Sequence, residues 1–88
     1  MQIRYFEWDE KNSGHIWEHH VETEEAEQAC KQCPFLLRGR HGSYLVHGRT
    51  LAGRYLFVVV RYQGNGLVRV ITARDMDMTE KKLYQEHR

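Results

Sequence analysis

Arg54-Tyr55-Leu56-Phe57-Val58-Val59-Val60-Arg61-Tyr62, then Gln63-Gly64-Asn65-Gly66, then Leu67-Val68-Arg69-Val70-Ile71-Thr72 is the stretch that decides the fold. β-Branched and aromatic side chains are stiff at χ1 and pack well on a pleated surface, so both flanking runs predict strands. The first is apolar almost throughout, as a strand covered on both faces is, and it predicts the centre of a sheet. Between the runs, two glycines and an asparagine tolerate positive φ, which predicts a hairpin. An antiparallel pair therefore anchors the chain.

Working outward, Pro34 to Leu37 and Tyr44 to Arg49 read as two further short strands, separated by Gly39-Arg40-His41-Gly42. Leu51-Ala52-Gly53 turns the chain into the central strand. Ahead of Pro34 the period changes. Ala26, Ala29 and Cys30 fall at i, i+3 and i+4, the stripe of a helix packed on one face. Thr23 reads as its N-cap, Glu24 and Glu25 suit the positive end of the helix dipole, and Pro34, the only proline, stops it. Asp9 caps an earlier helix over Glu10 to His20, with Ile16 and Trp17 facing inward and Gly14 weakening it. Gln2 to Trp8 alternates as a strand. Asp77 and Glu80 are spaced as a capping pair for a last helix from Met78 to about His87. The order is strand, helix, helix, four strands, helix. It predicts an α+β fold: a mainly antiparallel sheet with two N-terminal helices and one C-terminal helix, in a single domain over 1–88.

The apolar share of 41% supports a packed core, although a chain of 88 residues buries only a modest part of its surface. No signal-peptide pattern opens the chain, and its longest apolar run, Leu56 to Val60, is too short for a bilayer, which predicts a cytoplasmic protein with no membrane partner and reduced thiols. The net charge of +1 hides an asymmetry. Residues 1–33 hold three basic and eight acidic groups; residues 34–88 hold ten basic and four acidic ones. That split predicts a basic face for phosphates apart from an acidic one, where an evenly mixed surface is the plainer alternative. His15 and His19 with Cys30 and Cys33 have a zinc-like look, but the spacing is unorthodox and Cys30 falls where a helix-packing residue belongs, so no metal and no cofactor is expected. His47, in a strand near Arg49, has the chemistry of a general base.

Three groups of residues carry a resemblance over almost the whole chain. They are Phe6-Glu7-Trp8-Asp9 with His19, Val21 and Glu24-Glu25-Ala26; Gly48-Arg49-Thr50 with Gly53-Arg54 and Leu56 to Val60; and Arg69 to Arg74 with Glu80 and Tyr84. In this order and spacing the chain resembles the BrnT-type toxins. The resemblance implies a RelE-like fold, ribonuclease activity that stops translation, a cognate BrnA-type antitoxin, and operator DNA bound only by the toxin–antitoxin complex. The chain departs from the family at His20, where glycine is usual, and at Ser43, where an arginine is usual and Arg40 lies nearby.

Cleaving RNA by internal transfer requires the 2′-hydroxyl deprotonated, the phosphorane charge stabilised and the leaving 5′-oxygen protonated. Arginine suits the second task, because its fork matches phosphate oxygens and keeps its charge. Alternation on the last strand puts Arg69 with Leu67, Ile71 and Ala73, and Arg74 with Val68, Val70 and Thr72. Arg74, read as ending that strand, is the first choice for the phosphate, against the plainer reading of an ion pair with Glu80. Arg49 comes second, and Trp8 and Tyr84 orient the substrate, although both residue types more often pack a core. Arg54, Arg69, Lys81 and Lys82 are the further RNA contacts expected. A non-catalytic nucleic-acid- or partner-binding module of the same fold, and a small metal-binding domain, are the competing readings.

Overall fold

The computed structural model describes residues 1–87. Five strands and three helices follow in the order β1 (Tyr5–Glu7), α1 (Glu10–Trp17), α2 (Thr23–Lys31), β2 (Phe35–Arg38), β3 (Ser43–Arg49), β4 (Tyr55–Gly64), β5 (Leu67–Asp75) and α3 (Met78–Glu86). They build one sheet in the order β1-β5-β4-β3-β2, in which only the β1–β5 pair is parallel. The α+β class read from the sequence is the class found, with β4 at the centre.

The hairpin forms as its residues require, with Gly64, Asn65 and Gly66 all at positive φ. It also seats the N-terminus: the Arg4 and Tyr5 backbone N–H groups both donate to the Gly66 carbonyl, at 2.7 and 3.0 Å. One sheet face carries Val46, Leu56, Val58, Val60, Val68, Val70 and Ala73, all fully buried against Ile16 and Val21 beside α1 and Ala26, Ala29 and Cys30 of α2. Gly48 is part of that contact. A Cβ there would stand 2.0 Å from the Ala29 carbonyl oxygen, so the absent side chain is what lets α2 lie on β3. Asn12 locks α1 down, its Nδ2 donating to the carbonyls of Glu7 (2.9 Å) and Val70 (3.0 Å) while its Oδ1 accepts from the Asp9 N–H (2.8 Å).

Several boundaries differ from the expected ones. The first strand is shorter, spanning Tyr5–Glu7, because Trp8 already turns into the Asp9 cap. Helix α1 stops at Trp17, and Trp17 is 57% exposed instead of facing inward. His20, at φ 58°, takes the left-handed turn that follows, a conformation that glycine adopts without strain; this accounts for the glycine usual there in the resembling family. Glu22, not Thr23, is the N-cap of α2, and its backbone N–H donates to Glu25 Oε1 at 3.0 Å. The largest correction lies in β5. Its register with β4 jumps between Val59↔Thr72 and Val60↔Val70, which leaves Ile71 as the extra residue of a bulge. One extra residue inverts the alternation beyond it. Ala73 therefore joins Val68 and Val70 in the core, and Arg74 shares the opposite face with Arg69. The strand also runs on to Asp75, so Arg74 lies within it instead of at its end.

Candidate active site

The sheet face turned away from α1 and α2 is where α3 sits, and the strand register builds two rows of side chains across it. Direct cross-strand partners point to the same side, so Phe35↔His47, His47↔Phe57 and Phe57↔Arg74 form one row running from β2 to β5. Arg49↔Tyr55 forms the start of the next. Ring contacts follow the rows. His47 lies between Phe35 (5.7 Å) and Phe57 (5.2 Å), the Arg74 guanidinium stacks on Phe57 at 4.5 Å, and that of Arg49 stacks on Tyr55 at 4.6 Å. These cation–π contacts fix the planes of two forks on one surface.

Helix α3 closes over this surface. The Asp77–Glu80 capping box starts it as expected, the Glu80 N–H donating to Asp77 Oδ1 (2.8 Å) and the Asp77 N–H to Glu80 Oε1 (2.9 Å). Tyr84, 4% exposed, packs edge-on to Tyr55, and His87 stacks on Phe35 at 4.3 Å. Glu80 accepts a two-pronged bond from Arg74, with Nη1 and Nη2 each 2.8 Å from a carboxylate oxygen. That bond holds the Glu80 carboxyl below its ordinary range and raises Arg74 further above its own. The ion pair set beside Arg74 as the plainer reading is thus present.

Two buried side-chain atoms lack any partner among the described residues, His47 Nδ1 and Arg49 Nε. Both belong to β3 and to this face. His47 is 2% exposed, and Arg49 donates from Nη2 to the Gly53 carbonyl at 3.5 Å. Buried polar groups are normally bonded, and these two exceptions lie two residues apart on one face of β3. His47 lay within the sequence reading as a general-base candidate. The aromatic floor of Phe35, Tyr55 and Phe57 did not, because residues so far apart in the chain meet only once the register is set.

The remaining expected site residues are scattered. Tyr84 joins Arg49 and Arg74. Trp8 does not: it lies half-buried on the α2 side, where its Nε1 donates to Glu27 Oε2 at 2.7 Å. Arg54 is drawn into the framework, bonded to Asp75 (2.7 Å), Glu25 (3.1 Å) and the His20 carbonyl (2.8 Å), which straps the α1–α2 connection and α2 to the end of β5. Arg69 is held by Glu7 (3.1 Å) and Asp9 (2.9 Å), and its bond pulls the Asp9 carboxyl down to about 2. Lys81 lies over the Tyr55 ring at 5.3 Å, and Lys82 is exposed beside it on α3. Ser43 uses its hydroxyl to close the β2–β3 loop, donating to the Arg40 carbonyl at 2.7 Å, and Arg40 is exposed. The described residues hold no cluster of three or more His, Cys, Asp or Glu groups arranged for a metal. No described helix is long and apolar enough to cross a membrane.

No curated protein sequence is a significant match. Among solved structures, the 1.1 Å crystal structure of the Brucella abortus ribonuclease toxin BrnT resembles this one with a TM-score of 0.66 and 16% identity, covering 89% of this chain and 99% of that one. At that identity the likeness speaks for the fold: helices and sheet are laid out in the same way. The family model described as the ribonuclease toxin BrnT of type II toxin–antitoxin systems matches residues 8–80, a span from the Asp9 cap through both arginine-bearing strands to Glu80. The chain belongs to the BrnT family of ribonuclease toxins of type II toxin–antitoxin systems.

Proposed function

We propose that this chain cuts RNA on the face beneath α3, with Arg49 as the group that meets the phosphate undergoing transfer. The observation that carries the reading is the pair of unpartnered buried atoms, Arg49 Nε and His47 Nδ1, on one strand face above an aromatic floor. In the reaction the 2′-oxygen loses its proton and bonds to phosphorus, and the bond from phosphorus to the 5′-oxygen breaks as that oxygen takes up a proton. The products are a 2′,3′-cyclic phosphate and a free 5′-hydroxyl. Negative charge grows on the phosphoryl oxygens midway, where a preset guanidinium stabilises it without reorganising. Imidazole can accept one proton and release another, which is the chemistry His47 brings. Arg74 stands alongside with its charge matched by Glu80 and ties α3 to the site, Tyr84 walls it, and Lys81 and Lys82 add charge along the RNA's path. Arg54 and Arg69 are read as framework, since carboxylates already match their charge.

The test is cleavage of a long RNA by Arg49→Ala and Arg49→Lys at matched melting temperature. Removing one charge-stabilising donor lowers the rate on the order of 100- to 1,000-fold, and lysine restores only part because it cannot present a fork. A folded Arg49→Ala protein cutting at the parental rate overturns the assignment. One feature favours a second reading, binding without cleavage: Glu80 already fills both prongs of Arg74. RNA binding by the parent with no cleavage product identifies that case. A BrnA-type antitoxin covering this face, operator DNA bound only by the resulting complex, and action in the cytoplasm complete the proposal.

A further inference from the structure

Beside the arginine row, Gln32, Cys33, Arg49, Leu51, Gly53 and Tyr84 bound an open depression of about 400 Å³. That is near the small end of the roughly 300–1,000 Å³ of small-molecule sites. Its walls differ in kind. Arg49 forms one, its plane fixed on Tyr55 and its Nε without a partner. Gly53, at φ 95°, leaves room for that fork, because a Cβ there would lie 3.0 Å from Arg49 Nη2. Tyr84, 4% exposed and packed on Tyr55, contributes a narrow second wall. Leu51 offers an apolar side chain that is 71% exposed, yet its backbone is tethered by an N–H bond to Gln28 Oε1 at 3.0 Å. The Gln32 side chain is exposed, and its amide offers two donors and an acceptor at the rim.

A flat apolar ligand with a hydrogen-bonding edge and a phosphate attached satisfies all four walls. We propose that the depression holds one nucleoside of the RNA beside the transferring phosphate, its base against Tyr84 and Leu51, with the Gln32 amide reading the base edge. The inference rests on the ribonuclease reading above and adds to it the residues that set sequence preference. Base stacking is tolerant of sequence, whereas a site built to bond a particular edge rejects the bases that cannot complete the bond. Gln32 is therefore a specificity residue and Arg49 the group that anchors the adjacent phosphate.

Cys33 makes the site testable. The other thiol, Cys30, is buried and pushed up to about 12 by that burial, so the exposed Cys33 is the one that alkylates. The probes are short 2′-O-methyl oligonucleotides of each of the four bases, which lack the free hydroxyl that cleavage needs. Binding is followed by fluorescence anisotropy and Cys33 alkylation by iodoacetamide and mass spectrometry. We expect the best-bound oligonucleotide to slow alkylation about tenfold at about nine times its Kd, as occupancy alone requires. Gln32→Ala is expected to flatten the preference among the four and to redistribute the cuts in a long RNA, while Arg49→Ala abolishes protection at the same oligonucleotide concentration. Saturating binding with unchanged Cys33 alkylation overturns the subsite and leaves the ribonuclease reading standing. An unaltered preference in Gln32→Ala removes Gln32 from base reading. Failure of all four oligonucleotides to bind, together with no cleavage of long RNA, overturns both.

Discussion

Arg49 and Arg74 face the same side of the sheet, yet their surroundings make them different reagents. Arg49 has one long bond and a sealed, unpartnered Nε; Arg74 has two short bonds to Glu80. Arg49→Ala should therefore change rate and leave the melting temperature near that of the parent. Arg74→Ala should also loosen α3, because Glu80 loses its partner. A double-mutant cycle with Glu80→Gln, read by thermal melts, should return a coupling of about 1 kcal/mol, the upper end for a partly exposed pair. A coupling indistinguishable from zero would mean that the pair does not hold the helix. Acid should act in the same direction. Glu80, Asp75, Glu7 and Asp9 all have carboxyls held below their ordinary range in the folded chain. A depressed carboxyl binds fewer protons folded than unfolded, so its stabilisation is complete above the unfolded value and disappears as pH falls through the folded one. For Asp9 that window runs from 3.8 to about 2. Melting temperature should fall across it as pH drops, most gently in Arg69→Ala, where the main cause of the Asp9 shift is gone.

At the level of elements, each helix depends on a local device that a single substitution can remove. For α2 it is the absence of a side chain at Gly48. Gly48→Ala places a methyl on backbone atoms of Ala29, which cannot swing aside as a side-chain end can. The expected loss is at least about 1–3 kcal/mol, measured by urea unfolding, whereas Gly14→Ala, inside α1 with open space around it, should gain roughly 0.5–1 kcal/mol. For α1 the device is Asn12. Asn12→Ala leaves the Val70 and Glu7 carbonyls without their donor and removes the acceptor at Asp9, for about 1–3 kcal/mol by the same measurement. A near-parental unfolding midpoint would show that water replaces the amide at no cost. For α3 the device is the Asp77 cap, worth roughly 0.5–2 kcal/mol.

For the whole molecule, the charge asymmetry read from the sequence is partly spent inside the fold. Of the ten basic groups in residues 34–88, Arg54, Arg69 and Arg74 are matched by Glu25 and Asp75, by Glu7 and Asp9, and by Glu80. RNA affinity should still fall linearly with the logarithm of salt concentration. Arg49→Ala and Lys81→Ala should each lower that slope by about 0.7, the value per phosphate for single strands, while Arg69→Ala should barely alter it. Equal changes for all three would mean that ion pairing does not decide which cations meet RNA. A bound antitoxin that covers the α3 face should raise the melting temperature, since a partner at 100 times its Kd adds roughly 2.7 kcal/mol. For a domain this small that is a rise on the order of 10–20 °C. No rise on adding the partner would place its contact elsewhere or deny the complex.

What the amino-acid sequence determined by itself was whatever depends on neighbours in the chain. The element order, the central β4 run, the Gly64–Gly66 hairpin and the Asp9 and Asp77 caps follow from propensity, period and local hydrogen bonding, and the motifs from Trp8 to Glu80 pointed to the family. What only the tertiary structure decided depends on parity and register between distant segments. One extra residue at Ile71 moved Arg74 to the outer face and Ala73 into the core, reversing the alternation drawn from β5 alone. The same register brought Phe35, His47, Phe57 and Arg74 into one row, and tertiary packing sent Trp8 to Glu27 and took Arg54 and Arg69 into ion pairs. A strand's side chains alternate with a period of two, so a single bulge, invisible in composition, changes which side chains share a face.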